Sequence, residues 1–280
     1  MKLRVRNLNV AAIVMIALAV VISACQTTTP VMRKLPETNM LKTQVHHVAK
    51  DRQVVDFETR KGAMQRILFI TPKKSTAAVI LFAGGGGKIE IQTDGSILSD
   101  GNFLVRSRER FVKHGYMTAV FDVPTDQSTL RENRTEGWHV WDVATVVAYI
   151  KHRYGLPVWL VGTSRGTMTV GYVGAQLNKF IDGVAFTASM DDAAHLPIGR
   201  ITVPAFVMHH AKDDCFVTNP SSATDISKGL VKSPKVELVF LKGGIDQGNP
   251  CQARAYHGFN GIEDEAVGKI AGFINQTLKR

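Results

Sequence analysis

The stretch from Val158 to Gly166, Val-Trp-Leu-Val-Gly-Thr-Ser-Arg-Gly, constrains the fold more than any other. Its apolar beginning reads as a buried strand. It ends in Gly-x-Ser-x-Gly, and a helix pattern from Arg165 to about Leu177 follows at once. A serine in so tight a strand-to-helix turn has its side chain pushed out of the sheet. Glycines two positions to either side let strand and helix approach closely. Ser164 is therefore a candidate nucleophile. A turn that merely contains Gly, Ser and Gly has the same letters, so the rest of the chain must supply a base, an acid and an oxyanion site.

The elements around this turn alternate. Val54 to Thr59 and Arg66 to Ile70 are short strand-like runs separated by Lys61-Gly62, as in an opening antiparallel hairpin. Ala77 to Phe82 is continuously apolar, the pattern of a strand covered on both faces. Asn102 is a suitable N-cap for a helix ending near Gly115, and Met117 to Val123 is the next strand. Thr125 to Gly137 reads as polar loop, and Trp138 to Tyr154 as a helix. Beyond the central turn come strands at Ile181 to Thr187 and Val203 to His209, and a helix at Ser222 to Val231. The strand Val236 to Leu241 and a terminal helix over Glu263 to Leu278 complete the order. Strands and helices in alternation predict an α/β fold: a mostly parallel sheet flanked by helices on both faces. Sites on such sheets lie beyond the carboxyl ends of the strands. With 280 residues, 45% of them hydrophobic, the chain can bury one substantial core.

The N-terminus follows a different rule. Lys2, Arg4 and Arg6 precede an almost wholly apolar run from Val10 to Ile22, then Ile22-Ser23-Ala24-Cys25. A basic segment, a short apolar segment and small residues make an export signal, and the apolar run is short for a membrane span. Ile22 to Cys25 resembles the lipobox of bacterial lipoproteins. That resemblance implies that residues 1–24 are a signal peptide and that Cys25 is lipidated. With Gln26 rather than Asp next, it also implies the periplasmic face of the outer membrane in a bacterial cell envelope. Residues 25–50, polar and carrying Pro30 and Pro36, read as a linker, and residues 51–280 as the domain. The net charge of +10 includes the three N-terminal cations. No dense basic cluster with interleaved aromatics occurs, so nucleic acid is not an expected partner. Cys215 and Cys251 remain; export makes a disulfide between them plausible, with two buried thiols or a metal pair as alternatives. No ligand spacing matches a zinc pattern, and neither a metal nor another cofactor is expected.

A serine nucleophile needs a base, an acid to hold the base, and N–H donors for the oxyanion. The strand before His209-His210 leads to Asp213-Asp214, of which Asp213 is the preferred acid and Asp214 stays open. His257 lies in a glycine-containing loop between the last strand and the last helix, and is the candidate base. His209 and His210 close a strand, which suits packing or orienting the acid loop. Gly84 to Gly87 follows the first long buried strand and can bring N–H groups close to an oxyanion; Gly85 is the chosen donor, with the Arg165 N–H as the second. Arg131, Arg134, Trp138 and His139 fall where they could border the pocket, or form only an exposed loop and helix face.

Ser164, Asp213 and His257, in that order and each after a strand, resemble the α/β-hydrolase family from about Val54 to the C-terminus. Within it the chain looks like a small dienelactone-hydrolase-like serine esterase. The resemblance implies Ser164 as nucleophile, His257 as general base, Asp213 as orienting acid, and an oxyanion hole from the Gly84–Gly87 run and Arg165. Ser189 to Thr202 is too short for the helical cap that many members carry, so an open site is expected. The leading expectation is an enzyme cleaving a small-molecule carboxylic ester. The alternatives are a peptidase or amidase with the same triad, or a non-catalytic envelope-binding lipoprotein. A Cys215–Cys251 bridge would keep Asp213 and His257 in register.

Overall fold

The computed structural model describes residues 31–38 and 42–279. The expected signal peptide, residues 1–24, and Cys25 lie outside the described residues. Nine strands make one sheet: β1 (Thr43–Ala49), β2 (Arg52–Arg60), β3 (Ala63–Ile70), β4 (Ala77–Phe82), β5 (Tyr116–Phe121), β6 (Val158–Ser164), β7 (Gly183–Ser189), β8 (Ala205–His210) and β9 (Val236–Leu241). The helices are α1 (Phe103–Arg106), α2 (Arg108–Lys113), α3 (Gly137–Tyr154), α4 (Gly166–Leu177), α5 (Pro220–Gly229) and α6 (Glu263–Leu278).

The strand order is β1-β2-β3-β5-β4-β6-β7-β8-β9. The pairs β1–β2, β2–β3 and β3–β5 are antiparallel, and every other pair is parallel. The apolar runs β4, β5, β7 and β8 are buried along their whole length, as the lack of polar alternation requires. One face of the sheet packs on α3, α4 and α5 through Val143, Val146, Val170, Val173 and Ile226. The other packs on α1, α2 and α6 through Phe103, Phe111, Val267, Ile270 and Ile274.

The chain leaves β4 for β5 on one side and then returns to β6 on the other. That reversal is the topological switch point, where the connections diverge and open a crevice at the strands' carboxyl ends. Phe82 of β4 pairs with Gly162 of β6, so Gly84, just past β4, and Ser164, at the end of β6, meet at that crevice.

Two features differ from the sequence reading. Residues 25–50 are not linker throughout. Met32 and Leu35 pack against the core, and Thr43–Ala49 is the edge strand β1, mostly exposed. An edge strand buries too little to need an apolar run, so the sequence carries no strand signal there. The helix after Asn102 is two short helices. They break at Ser107, whose φ of −95° and ψ of 1° leave helical geometry. The apolar pairs seven residues apart continue across the break and hide it.

Candidate active site

Ser164 ends β6 with φ 52°, a conformation costly to a residue with a Cβ. The two motif glycines explain how the turn is accommodated. A Cβ on Gly162 would lie 2.4 Å from the Gly166 carbonyl oxygen, and one on Gly166 would lie 2.2 Å from that of Phe82. Neither position has room for any side chain. Thr167 locks the turn: its hydroxyl donates to the Ser164 carbonyl at 2.6 Å and accepts from the Met190 N–H at 3.2 Å. Among the described residues the Ser164 hydroxyl has no hydrogen-bond partner. It faces a cleft of about 320 Å³ that His257 also lines.

The acid loop follows β8. Asp213 is buried and Asp214 is exposed. Asp213 Oδ1 accepts the Cys215 N–H at 3.0 Å. Its Oδ2 accepts from His209 Nε2 at 3.0 Å, from the Thr218 hydroxyl at 3.2 Å and from His257 Nδ1 at 2.9 Å. Burial alone would raise the pKa of this carboxyl. The bonds from His209 and His257, with the attraction of both rings, outweigh burial and hold it well below the usual carboxylate range. An ionised carboxylate only accepts, so the His257 proton sits on Nδ1 and Nε2 is left bare as an acceptor. Thr218 Oγ1 also lies 3.1 Å from His257 Nδ1 and braces the same ring.

Several contacts hold the base loop. His257 lies in a 3-10 turn over Tyr256–Gly258. Arg106 donates to the Gly258 carbonyl at 2.7 Å, and the Tyr256 ring stacks on His210 at 4.3 Å between centroids. His210 in turn donates from Nε2 to the Gly243 carbonyl at 2.9 Å. A disulfide joins Cys215 in the acid loop to Cys251 in the base loop, with their Cα atoms 4.6 Å apart. Cys215, whose N–H donates to Asp213, is thus pinned to the segment that carries His257.

The glycine loop after β4 is held from behind. The Leu130 N–H donates to the Gly86 carbonyl at 2.7 Å. Arg134 donates to the carbonyls of Ala83 at 2.9 Å and Gly85 at 3.3 Å, and to the Thr169 hydroxyl at 3.1 Å. Burial lowers its pKa to about 9, with a smaller contribution from the charge of Arg165. Arg134 therefore does not border the cleft; it orients the peptide of Gly85. His139 is buried beside it, with Nε2 3.0 Å from the Thr169 hydroxyl. Burial first, then the charges of Arg134 and Arg60, bring its pKa down to about 3, so the ring is neutral. Among the described residues the N–H groups of Gly85 and Arg165 are free of other hydrogen bonds, and both lie next to Ser164 or the loop facing it. The Arg165 N–H also opens α4, where the helix dipole is positive.

Solved structures share this architecture. Est1E from Butyrivibrio proteoclasticus is 14% identical with a TM-score of 0.59, over 82% of this chain and 100% of that one. The esterase Pf2001 from Pyrococcus furiosus is 13% identical with a TM-score of 0.56, over 89% and 99%. XC6422 from Xanthomonas campestris, an α/β serine hydrolase without lid, is 12% identical with a TM-score of 0.55, over 79% and 95%.

The chain has the α/β-hydrolase fold.

No protein-family model and no curated protein matches its sequence. In α/β-hydrolase terms, Ser164 sits at the strand-to-helix elbow, Asp213 follows β8 and His257 follows β9. Between β7 and β8 run only two 3-10 turns, Asp191–His195 and Ile198–Arg200, so no cap domain stands there. The structure brings Ser164, Gly85 and His257 to one cleft, with Asp213 behind His257. Arg165 follows Ser164 directly as the N-cap of α4, and its side chain reaches towards Glu132 at 3.8 Å. Sequence reasoning missed Thr218, which is five residues from Asp213 and 39 from His257, and no local pattern marks a threonine that serves both. It placed Arg134 at the border of the pocket, whereas the guanidinium is buried behind the glycine loop.

Proposed function

We propose that this protein is a serine hydrolase that cleaves a carboxylic ester, a small lidless enzyme of the dienelactone-hydrolase-like kind. One observation carries the reading: Ser164, strained at φ 52°, shares a cleft with a His257 ring whose Nδ1 is held 2.9 Å from the buried Asp213 carboxylate. In this reading His257 Nε2 takes the Ser164 proton as Oγ attacks the ester carbonyl. The negative charge that develops on the carbonyl oxygen is met by the Gly85 and Arg165 N–H groups. Arg134 holds the loop that carries the first of these through the Ala83 and Gly85 carbonyls on either side of Gly84, and the second opens α4. His257 then passes its proton to the leaving alcohol, and the acyl-enzyme is released by a water that His257 deprotonates. Asp213 stabilises the imidazolium in both halves. The Ser164–His257 hydrogen bond forms as substrate draws the two together.

The likeness to esterase and serine hydrolase structures supports this reading, and so does the open cleft. The enzyme would work in a bacterial cell envelope, tethered through a lipid on Cys25, with the membrane and the ester as its partners. A panel of short-chain esters tests the activity. The wild type is expected to hydrolyse members of the panel and Ser164→Ala none above background. Equal turnover by the variant would refute the reading, and faster turnover of peptides than of any ester would make the protein a peptidase. Mass spectrometry of the exported protein is expected to find a lipidated peptide starting at Cys25. An unmodified peptide running through Cys25 would refute the tether.

A further inference from the structure

Asn102 does more than cap a helix. Its Oδ1 accepts the Leu104 N–H at 3.1 Å at the start of α1. That bond fixes the orientation of the carboxamide, because only the oxygen can accept an N–H. The Nδ2 group must then face the other way, into the cleft that Asn102 lines with Ser164 and His257. Among the described residues Nδ2 has no hydrogen-bond partner. A Cβ built on Gly84 would lie 2.9 Å from Ser164 Cβ and 3.4 Å from Asn102 Nδ2. Those two distances together place Nδ2 within about 6 Å of Ser164 Cβ. An acceptor about 2.9 Å from Nδ2 would sit one or two atoms from the carbonyl that Ser164 attacks.

The other walls narrow the chemistry. Ser99 and Gln252 add two more hydrogen-bonding side chains, and Phe103 and Ala253 add apolar surface. Among the described residues no Lys, Arg, Asp or Glu lines the cleft. Nothing there would compensate a substrate carboxylate or ammonium, whereas a neutral oxygen finds donors. Arg134, which the sequence placed near the pocket, supplies no charge there, because it is turned to the backbone of the glycine loop.

We propose that Asn102 is a specificity-determining residue whose Nδ2 donates to an ether, hydroxyl or carbonyl oxygen near the scissile bond, so that the substrate is an uncharged, oxygen-bearing ester. This rests on the reading of Ser164 as an ester-cleaving nucleophile. The acceptor oxygen can belong to the acyl part or to the alcohol part, and near-isosteric ester pairs separate the two. 4-Nitrophenyl methoxyacetate differs from 4-nitrophenyl butyrate by one CH2 replaced by O in the acyl chain. 2-Methoxyethyl acetate differs from n-butyl acetate in the same way on the alcohol side.

The measured quantity is the ratio of kcat/KM for the oxygen ester over its CH2 partner, in wild type and variants. Comparing this ratio between wild type and variant cancels the intrinsic reactivity of each ester. Asn102→Ser keeps a capping oxygen and loses the Nδ2 donor. It is expected to lower the ratio about five- to tenfold in one pair, the size of one lost hydrogen bond. The affected pair tells which side of the ester carries the acceptor. Asn102→Ala loses cap and donor alike; it should lower the same ratio and also the Tm, which Asn102→Ser should not. An equal fall for all four esters would make Asn102 a third oxyanion donor and overturn the proposal. Unchanged ratios in both variants would leave it a helix cap and overturn it too. If the wild type hydrolyses none of the four, the ester reading falls and this inference with it.

Discussion

Two aspartates stand side by side, and only one can serve His257. Asp213→Asn and Asp214→Asn should therefore behave as opposites. The Asp213 carboxylate receives four hydrogen bonds, one on Oδ1 and three on Oδ2. A carboxamide has a single accepting oxygen. Its cheapest orientation keeps that oxygen at the Oδ2 position and turns the NH2 on the Cys215 N–H. One buried donor then goes unsatisfied, at about 1–3 kcal/mol, and the three remaining bonds lose their charge assistance, at about 1 kcal/mol more. A total of about 2–4 kcal/mol lowers the Tm of a domain this size by roughly 5–15 °C. The rate loss is larger, because the imidazolium of His257 loses its counter-charge in the transition state: roughly 10²–10⁴-fold in kcat with little change in KM. Asp214 is exposed, so Asp214→Asn should stay within about 0.5 kcal/mol and close to wild-type turnover. The pH dependence gives a second reading. The folded-state pKa of Asp213 is depressed, so its contribution to stability is present above the unfolded value, about 3.9, and is lost as pH falls below it. Asp213→Asn should remove that part of the acid sensitivity. Ester turnover by stopped assay and thermal melts from pH 3 to pH 7 measure both effects. Asp213→Asn with kcat within threefold of wild type, or Asp214→Asn with the larger loss, would refute the assignment.

Two further outcomes follow from the structure. The Cys215–Cys251 bridge closes a loop with a sequence separation of 36, so its reduction should cost about 4 kcal/mol by loop entropy and lower turnover by loosening Asp213 against His257; non-reducing peptide mapping that finds free thiols in the exported protein would contradict this. The neutral His139, with a pKa near 3 in the folded chain against about 6.5 unfolded, makes the unfolded state bind the extra proton as pH falls below 6.5. Its contribution to stability should therefore drop by about 2 kcal/mol between pH 6.5 and pH 5, and His139→Gln should melt with a flatter pH dependence; parallel curves for the two proteins would refute it.

The sheet was legible where the strands are buried on both faces. β4 to β8 announce themselves as apolar runs, and the helices between them as periodic ones. The edge was not: β1 buries so little that nothing in Thr43–Ala49 separates it from a linker. The site divides in the same way. The strand-to-helix glycines are readable because backbone contacts at Gly162 and Gly166 exclude every other residue. The order of Ser164, Asp213 and His257 is readable because each follows a strand. The choice between Asp213 and Asp214 depends on which carboxyl the loop buries, and sequence position does not encode that. Thr218 reaches His257, 39 residues away, and Arg134 reaches Ala83, Gly85 and Thr169, 51, 49 and 35 residues away, so no local pattern reveals those roles, nor that the Asn102 amide is left free.

The account turns on Ser164 as an activated nucleophile, and covalent labelling tests it most directly. A fluorophosphonate should add once to the wild-type protein, and peptide mass spectrometry should place the adduct on Ser164. Ser164→Ala should take up none, and His257→Ala should slow labelling by orders of magnitude. An unlabelled wild type, or an adduct on another residue that persists in Ser164→Ala, would contradict the account.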